Sequence, residues 1–310
     1  MTDSMFQKYV QKSRQARAPF LFRAPDRFGS VNCLSPSGFH RVAYTDWGPM
    51  QAEEVVVCVH GLTRQGRDFD PLAARLADAG YRVICPDLVG RGQSDWLENS
   101  LDYVFPQYCA DMTSLLAMIG KKMVHWIGTS LGGLIGIVLA GVPRSPIATL
   151  TVNDIGPEVA LQASTRVAMR LVSDRWSFDS FEDVFENVRK VYKGCGPLTD
   201  EQWLHMARHS VRCDADTERF IPLTDPKIAT AFLWLWYYSM SLWKYWGKLE
   251  LPVLAVHGDR SDFVTPDLLA KMKRSMPTLS TFKVAETGHM PMLMSCSETD
   301  AVLSFLKSCA

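Results

Sequence analysis

The sequence predicts an α/β protein built on a mostly parallel, doubly wound sheet. Short, continuous apolar runs recur along the chain, and helical patterns follow most of them. The run "EEVVVCVHG" is rich in β-branched residues and ends at Gly61, as a strand buried on both faces does. The next segment, "DPLAARLADAG", has the apolar spacing of a helix and ends at Gly80. Repeated alternation of this kind is typical of parallel strands with helices on both faces of the sheet.

The remaining elements continue the same alternation. The predicted strands are "YRVICPD", "KMVHWIG" and "IATLTVNDIG", separated by the predicted helices "YCADMTSLLAMIG" and "LGGLIGIVLAG". After a break, the pattern resumes with the strands "LPVLAVHGD" and "STFKVAE" and the helices "TPDLLAKMKRSMP" and "TDAVLSFLKS". The earlier segment "HRVAYTDWG" predicts an additional strand at one edge of the sheet.

The break between residues 157 and 248 has no strand signal and carries helical patterns such as "FEDVFENVRKVY". We interpret it as a helical insertion packed over the sheet. An aromatic run near its end is more typical of an apolar core than of a substrate wall: Trp234, Trp236, Tyr237, Tyr238, Trp243, Tyr245 and Trp246. The expected organisation is an N-terminal arm (1–37), a core (38–156 and 249–310) and a helical cap (157–248).

Composition excludes several classes of partner. The 33 basic and 33 acidic side chains balance, so no overall field favours nucleic acid or an anionic membrane. No uninterrupted apolar run approaches the roughly 20 residues that span a bilayer. Eight cysteines are scattered without a CxxC pair, which fits a reducing compartment. We expect a cytoplasmic protein that acts on a small molecule; nothing in the sequence indicates an oligomeric state.

Reactive residues follow the predicted strands. Ligands of open parallel sheets bind outside the carboxyl ends of the strands. The residues at those ends are His60, Ser130, Asp154, Asp259, Asp262 and His289. One edge of the sheet is therefore predicted to carry a site.

Ser130 lies in "IGTSLGG", between a predicted strand and a predicted helix. A sharp strand-to-helix turn strains the serine backbone, and Gly128 and Gly132 remove side chains that would clash there. The following N–H, on Leu131, lies at a helix N-terminus, where it can stabilise an oxyanion. Such a serine is a candidate nucleophile.

A serine hydroxyl needs a base, and the base needs a carboxylate that orients it. His289, in "ETGHMP", is the candidate base because imidazole titrates near neutral pH. Asp262 completes the chain order Ser–Asp–His and is the preferred acid. Asp154, near the end of the predicted strand "IATLTVNDIG", is the alternative acid.

Two further histidines, His205 and His209, are four residues apart on a predicted helix. They lack the HExxH pattern and an evident third ligand, so we expect no metal and no cofactor.

Five segments together resemble the α/β-hydrolase family, in its cap-bearing, esterase-like branch: "VHGLTRQGRDF", "DLVGRGQSD", "GTSLGG", "HGDRSDFVTP" and "ETGHMP". The resemblance implies an eight-stranded sheet with a helical cap. It also implies that Leu62, after His60 and Gly61, supplies a second oxyanion-hole N–H. Relatives often place the acid three residues after a strand-ending glycine, which here is Ser261. Asp262 matches a variant of this pattern in which the acid lies one residue further on. Some relatives place the acid at the position of Asp154. Asp259 is expected to have a structural role.

These residues favour a cofactor-free serine hydrolase that cleaves a carboxylic ester with an apolar or aromatic substituent. Because the nucleophile is Ser130, the resemblance disfavours haloalkane dehalogenases and epoxide hydrolases, which use aspartate. A carbon–carbon bond hydrolase of vinylogous diketones would use the same three residues. A non-catalytic receptor for a small ligand is an alternative from a different class.

Overall fold

The computed structural model describes residues 23–174, 176–235 and 241–309, so Trp236, Tyr237 and Tyr238 lie outside the described residues. Eight strands form one sheet: β1 (Arg27–Ser35), β2 (Gly38–Trp47), β3 (Val55–Val59), β4 (Arg82–Pro86), β5 (Val124–Thr129), β6 (Ile147–Asn153), β9 (Val253–Gly258) and β10 (Ser280–Val284). Their order is β1-β2-β4-β3-β5-β6-β9-β10. The pairs β1–β2 and β2–β4 are antiparallel, and every other pair is parallel. The predicted mostly parallel sheet is confirmed.

Helices cover both faces of this sheet. They are α1 (Asp70–Asp78), α2 (Phe105–Ile119), α3 (Leu131–Ala140), α4 (Leu161–Ser173), α5 (Phe181–Tyr192), α6 (Asp200–Ser210), α7 (Lys227–Leu235), α8 (Trp243–Trp246), α9 (Pro266–Ser275) and α10 (Cys296–Ser308). Short 3₁₀ helices span Gly66–Phe69 and Ser100–Asp102.

Strand β3 shows how one segment serves two apolar cores. Val55, Val57 and Val59 pack on the face covered by α2, α3 and α9. Val56 and Cys58 pack on the opposite face, with α1 and α10. Successive strand residues point to opposite faces, so a strand buried on both must be apolar throughout. All five residues of β3 are buried.

Two expectations need correction. Residues 27–35, expected in an N-terminal arm, form the edge strand β1, and β2 therefore pairs on both sides instead of forming the edge. The residues of β1 are mostly exposed or half-buried, so its sequence lacks the apolar run that marks a buried strand. Within the insertion, the short strands β7 (Val211–Cys213) and β8 (Phe220–Pro222) pair with each other, although no strand was expected there. Three partly exposed residues in each leave little sequence signal.

The elements between β6 and β9, here called the helical insertion, contact the loops at the carboxyl ends of the strands. The Gly288 N–H donates to the carbonyl of Gly194 at 2.7 Å. The Gly92 N–H donates to the carbonyl of Leu223 at 2.8 Å. The insertion therefore lies against the loops that carry the predicted site. Over the ranges that the structure describes, no helix has the length and apolar character needed to cross a membrane.

Candidate active site

Ser130 lies between β5 and α3 with φ of 49° and ψ of −111°, a strained backbone for a non-glycine residue. A Cβ atom at Gly128 would overlap the backbone of Gly132, and one at Gly132 would overlap the carbonyl of Val59. Both glycines are therefore required by close backbone approach, as the sequence predicted. The turn holds Ser130 at the carboxyl edge of the sheet.

Ser130, His289 and Asp154 form a hydrogen-bonded chain. His289 Nε2 lies 3.2 Å from Ser130 Oγ, and His289 Nδ1 lies 2.8 Å from Asp154 Oδ2. Because an ionised carboxylate only accepts, Nδ1–H donates to Asp154, which leaves Nε2 to accept from the serine hydroxyl. The His289 side chain is 10% exposed and the Asp154 side chain is fully buried. This is the relation that a nucleophile, a base and an orienting acid require.

The Asp154 carboxylate has further donors. The Gly258 N–H donates to Oδ1 at 3.1 Å, and the Ser261 hydroxyl donates to Oδ2 at 2.7 Å. A buried charge is costly unless hydrogen bonds or a counter-charge satisfy it. Together with His289, these donors supply that satisfaction and fix the orientation of the carboxylate.

The expectation that Asp262 contacts His289 is wrong. Asp262 forms a two-pronged ion pair with Arg166, at 2.7 and 2.9 Å, and its side chain is 50% exposed. The preceding residue, Ser261, is the one that faces Asp154. Asp262, the next residue along the loop, therefore faces the solvent-exposed Arg166 instead of His289. The alternative acid, Asp154, occupies the position beside His289.

Asp259 has a local structural contact, as expected. Its Oδ1 accepts from the Thr287 N–H at 3.1 Å, which ties the loop after β9 to the loop that carries His289. Hydrogen bonds from the backbone of Glu286 and Thr287 lower the pKa of this exposed carboxyl.

The segment from His60 to Arg64, here called the His60 loop, lies against Ser130. An added Cβ on Gly61 would lie 3.5 Å from the Cβ of Ser130. The Gly61 carbonyl is held by His60 Nδ1–H at 2.7 Å and by the Arg64 N–H at 3.1 Å. Because C=O and N–H point in opposite directions across a trans peptide, these bonds also fix the direction of the Leu62 N–H. Leu131, the first residue of α3, has an N–H without an intrahelical partner.

Two buried side chains fix this loop. His60 Nε2 accepts from the Leu88 N–H at 2.8 Å, so His60 carries its proton on Nδ1. Burial lowers the pKa of His60 to about 3, which keeps the ring neutral. The fully buried Arg91 donates from Nε to the Leu62 carbonyl at 2.8 Å. Arg91 lies in "DLVGRGQSD", a segment that carried a resemblance but no predicted role.

Phe263 is a second residue that the sequence reasoning missed. Its ring stacks on the His289 imidazole with centroids 3.7 Å apart and planes 17° apart. The Arg166 guanidinium lies 5.7 Å from the centroid of the same phenyl ring. Phe263 was visible only as an apolar residue after Asp262, and its contact depends on the course of the loop.

The structure brings a third candidate metal ligand to His205 and His209. Ligand atoms of these residues and of Asp70 lie within 4.8 Å of one another. However, Arg67 pairs with the Asp70 carboxylate at 2.6 Å and places a positive charge beside it. His205 also bonds the Arg67 carbonyl at 2.8 Å. The cluster is therefore better explained as a contact between α6 and the start of α1 than as a cation site.

Comparisons with known proteins agree with this architecture. Residues 54–211 match the family described as alpha/beta hydrolase fold. A 3-hydroxybutyrate-oligomer hydrolase from Cupriavidus necator is 38% identical over 86% of this chain and 93% of its own length. A haloalkane dehalogenase from Mycolicibacterium paratuberculosis is 29% identical over 71% of each chain. The crystal structure of an alpha/beta hydrolase from Novosphingobium aromaticivorans superposes with a TM-score of 0.79 at 30% identity and covers 90% of this chain and 98% of that one. The chain belongs to the alpha/beta hydrolase fold family.

Proposed function

We propose that this protein is a serine hydrolase that cleaves carboxylic esters, with Ser130 as nucleophile, His289 as base and Asp154 as acid. The hydrogen-bonded chain of these three residues at a strained strand-to-helix turn carries the proposal. Hydroxyl nucleophiles are weak until an adjacent base accepts the proton, and this geometry supplies the base and its orienting group.

In the first step, Ser130 Oγ attacks the ester carbonyl carbon while its proton passes to His289 Nε2. Negative charge develops on the carbonyl oxygen, and the N–H groups of Leu62 and Leu131 stabilise it. Backbone donors that are fixed before the reaction stabilise such charge without reorganisation at the moment of reaction. Asp154 stabilises the imidazolium that forms, because its carboxylate faces Nδ1–H.

In the second step, the tetrahedral intermediate collapses and the alcohol leaves with the proton from His289. Water then attacks the acyl group on Ser130, with His289 again as base, and releases the acid. Each group needed for these transfers belongs to the described site, so the proposal needs no cofactor and no metal.

We further propose short hydroxyacid esters as the substrate class and the helical insertion as a cap over the site. The relative from Cupriavidus necator is a 3-hydroxybutyrate-oligomer hydrolase, and the similarity extends over 86% of this chain. The proposed nucleophile, base, acid and oxyanion donors are the groups that hydrolysis of an ester oligomer through an acyl-serine would require. Hydrogen bonds from Gly288 to Gly194 and from Gly92 to Leu223 bring the insertion to the loops that carry His289 and Arg91.

The test combines active-site labelling with turnover. Ser130→Ala should abolish labelling by a fluorophosphonate probe and lower kcat for p-nitrophenyl butyrate at least about 10³-fold. Ser114→Ala is the matched control, because Ser114 lies on α2 and its hydroxyl donates to the helix carbonyl of Ala110. A wild-type protein that is neither labelled nor active on p-nitrophenyl esters or 3-hydroxybutyrate oligomers would contradict the proposal.

A further inference from the structure

Arg91 is a fully buried cation that contacts the His60 loop. Its Nε–H donates to the Leu62 carbonyl at 2.8 Å, and Nη1–H groups donate to the Val89 carbonyl at 2.6 Å and the Tyr108 hydroxyl at 2.9 Å. Its Nη2 is buried and has no hydrogen-bond partner among the residues that the structure describes. Buried polar atoms without partners are rare in folded proteins and call for an explanation.

The positive charge of Arg91 differs from that of Arg64, the other buried arginine at this loop. Both oxygens of Asp68 accept from the Arg64 guanidinium, at 2.5 and 2.6 Å, so the Arg64 charge is matched by a direct ion pair. In the described part of the chain, Arg91 donates only to two carbonyls and one hydroxyl. A buried charge is costly, and a neutral amide would satisfy the same acceptors. This cost points to a use for the charge itself.

Asp225 lies beside the loop that carries Arg91, but its carboxylate is engaged elsewhere. The Asp225 N–H donates to the carbonyl of Gly90 at 2.8 Å. Its carboxylate accepts from the Tyr103 hydroxyl at 2.6 Å and from the Lys227 N–H at 2.9 Å. Asp225 therefore does not form a direct ion pair with Arg91.

The surroundings of Arg91 favour a strong electrostatic effect on the His60 loop. The backbone of Arg91 forms a β-bridge with Thr224 of the helical insertion, which helps to bury the guanidinium. Charges interact more strongly in such a site than in water. Burial and, to a smaller extent, the positive charge of Arg91 lower the pKa of His60 to about 3. The field of Arg91 thus acts in the loop that carries the Leu62 N–H.

The hydrogen bond to Leu62 limits the distance between Arg91 and the proposed oxyanion. The backbone N and O atoms of one residue are three bonds apart, which is at most about 3.7 Å. An oxyanion lies roughly 3 Å from its N–H donor, so Arg91 Nε lies within about 10 Å of the oxyanion position. At an effective dielectric constant of about 20, unit charges at this separation change a rate by roughly 10- to 20-fold.

We propose that Arg91 is a positioning residue for the Leu62 donor and that its unmatched positive charge stabilises the oxyanion on the substrate carbonyl. The inference rests on the proposed ester hydrolysis. The carbonyl oxygen becomes negative when Ser130 attacks the ester and again when water attacks the acyl group, so the charge acts in both steps. The ester itself is uncharged at this oxygen. Loss of the charge should therefore lower kcat and leave KM nearly unchanged.

The experiment separates charge from hydrogen bonding with two variants that both retain a donor for the Leu62 carbonyl. Arg91→Lys keeps the positive charge, whereas Arg91→Gln has a neutral amide. Turnover of p-nitrophenyl butyrate is measured with active sites counted by fluorophosphonate labelling. The kcat of Arg91→Gln should be roughly 10-fold or more below that of Arg91→Lys. The two KM values should agree within about threefold.

Inhibition by phenylboronic acid adds a reading that a purely structural role of Arg91 would not move. A bond forms between the Ser130 oxygen and boron, the serine proton passes to His289, and boron becomes tetrahedral and negatively charged. The Ki should therefore be higher in Arg91→Gln than in Arg91→Lys by about the factor that separates their kcat values. Equal kcat and equal Ki in the two variants would overturn the role of the charge.

A second pair of variants keeps Arg91 and matches its charge, and it decides the question if Arg91→Gln does not fold. Tyr108→Glu places a carboxylate on the side of Arg91 Nη1, and Tyr108→Gln is its neutral control. The kcat of Tyr108→Glu should be roughly 10-fold below that of Tyr108→Gln. Equal kcat values in this pair would also overturn the inference. A wild type that is neither labelled nor active on p-nitrophenyl butyrate would instead overturn the proposed function.

Discussion

Asp154 and Asp262 follow neighbouring strands at the same edge of the sheet, but their surroundings differ. Asp154 follows β6, is fully buried and accepts from His289, Ser261 and Gly258. Asp262 follows β9, is half exposed and pairs with Arg166. An acid that orients a histidine must itself be held in one position. A position at a strand end makes an aspartate a candidate acid, whereas burial and fixed hydrogen-bond donors decide which aspartate can act.

The largest expected effect separates these two residues directly. Asp154→Asn should lower kcat by about 10³- to 10⁴-fold, because an amide can present its N–H₂ to His289 and favour the wrong tautomer. Asp262→Asn should change kcat no more than about threefold, because it removes only an exposed ion pair. Steady-state kinetics on p-nitrophenyl butyrate would measure both.

Circular dichroism and thermal unfolding would check that both variants are folded. A greater loss of kcat in Asp262→Asn than in Asp154→Asn would reverse the assignment. Equal, small losses would mean that neither carboxylate orients His289 during turnover.

A second, smaller effect is expected when the acid is moved from one loop to the other. Ser261 Oγ lies 2.7 Å from Asp154 Oδ2, so a carboxylate at position 261 would begin close to His289. The double variant Asp154→Asn with Ser261→Asp should regain roughly 10- to 100-fold of the kcat lost by Asp154→Asn alone. The comparison needs only these two variants and the wild type. A folded double variant with no recovery would show that the loop after β9 cannot direct a carboxylate to the imidazole.

The sequence allowed the fold and two of the three residues in the hydrogen-bonded candidate site to be predicted for identifiable reasons. Strands such as β3 are buried on both faces, so their apolar runs stand out. Ser130 is marked by glycines that close packing requires, and His289 follows a predicted strand in a short loop. These features depend on neighbours in sequence.

The acid could not be chosen in the same way. Asp154 and Asp262 both follow strands, and the difference between them is the direction in which a loop presents Ser261 and then Asp262. Arg91 and Phe263 act through contacts between segments distant in sequence, which no local pattern records. The exposed strand β1 was missed because it lacks an apolar run.

A third prediction measures what Ser261 adds to the environment of Asp154. Ser261→Ala removes one of the hydrogen-bond donors to the buried Asp154 carboxylate. This loss should lower the free energy of unfolding by about 1 kcal/mol and lower kcat about fivefold. Ser261→Thr retains a hydroxyl and should lie closer to wild type. If Ser261→Ala loses stability but no activity, the hydroxyl contributes to folding alone and does not position the acid.

The smallest expected effect concerns Arg166 and Phe263, whose contacts link the exposed Asp262 to His289. Phe263→Leu should lower kcat about threefold, because the flat ring that packs on His289 is replaced by a smaller, mobile group. Arg166→Met should lower kcat no more than about twofold, since its ion pair is exposed.

The order of these contacts predicts how the changes combine. If Arg166 acts by holding Phe263, adding Arg166→Met to Phe263→Leu should lower kcat no further than Phe263→Leu alone. A double-variant cycle on p-nitrophenyl butyrate measures this coupling. Additive losses would mean that Arg166 affects the site by a route that does not pass through Phe263, for example through the charge at the mouth of the site. Non-additive losses would assign the loop after β9 the role of packing the base, while the loop after β6 supplies its acid.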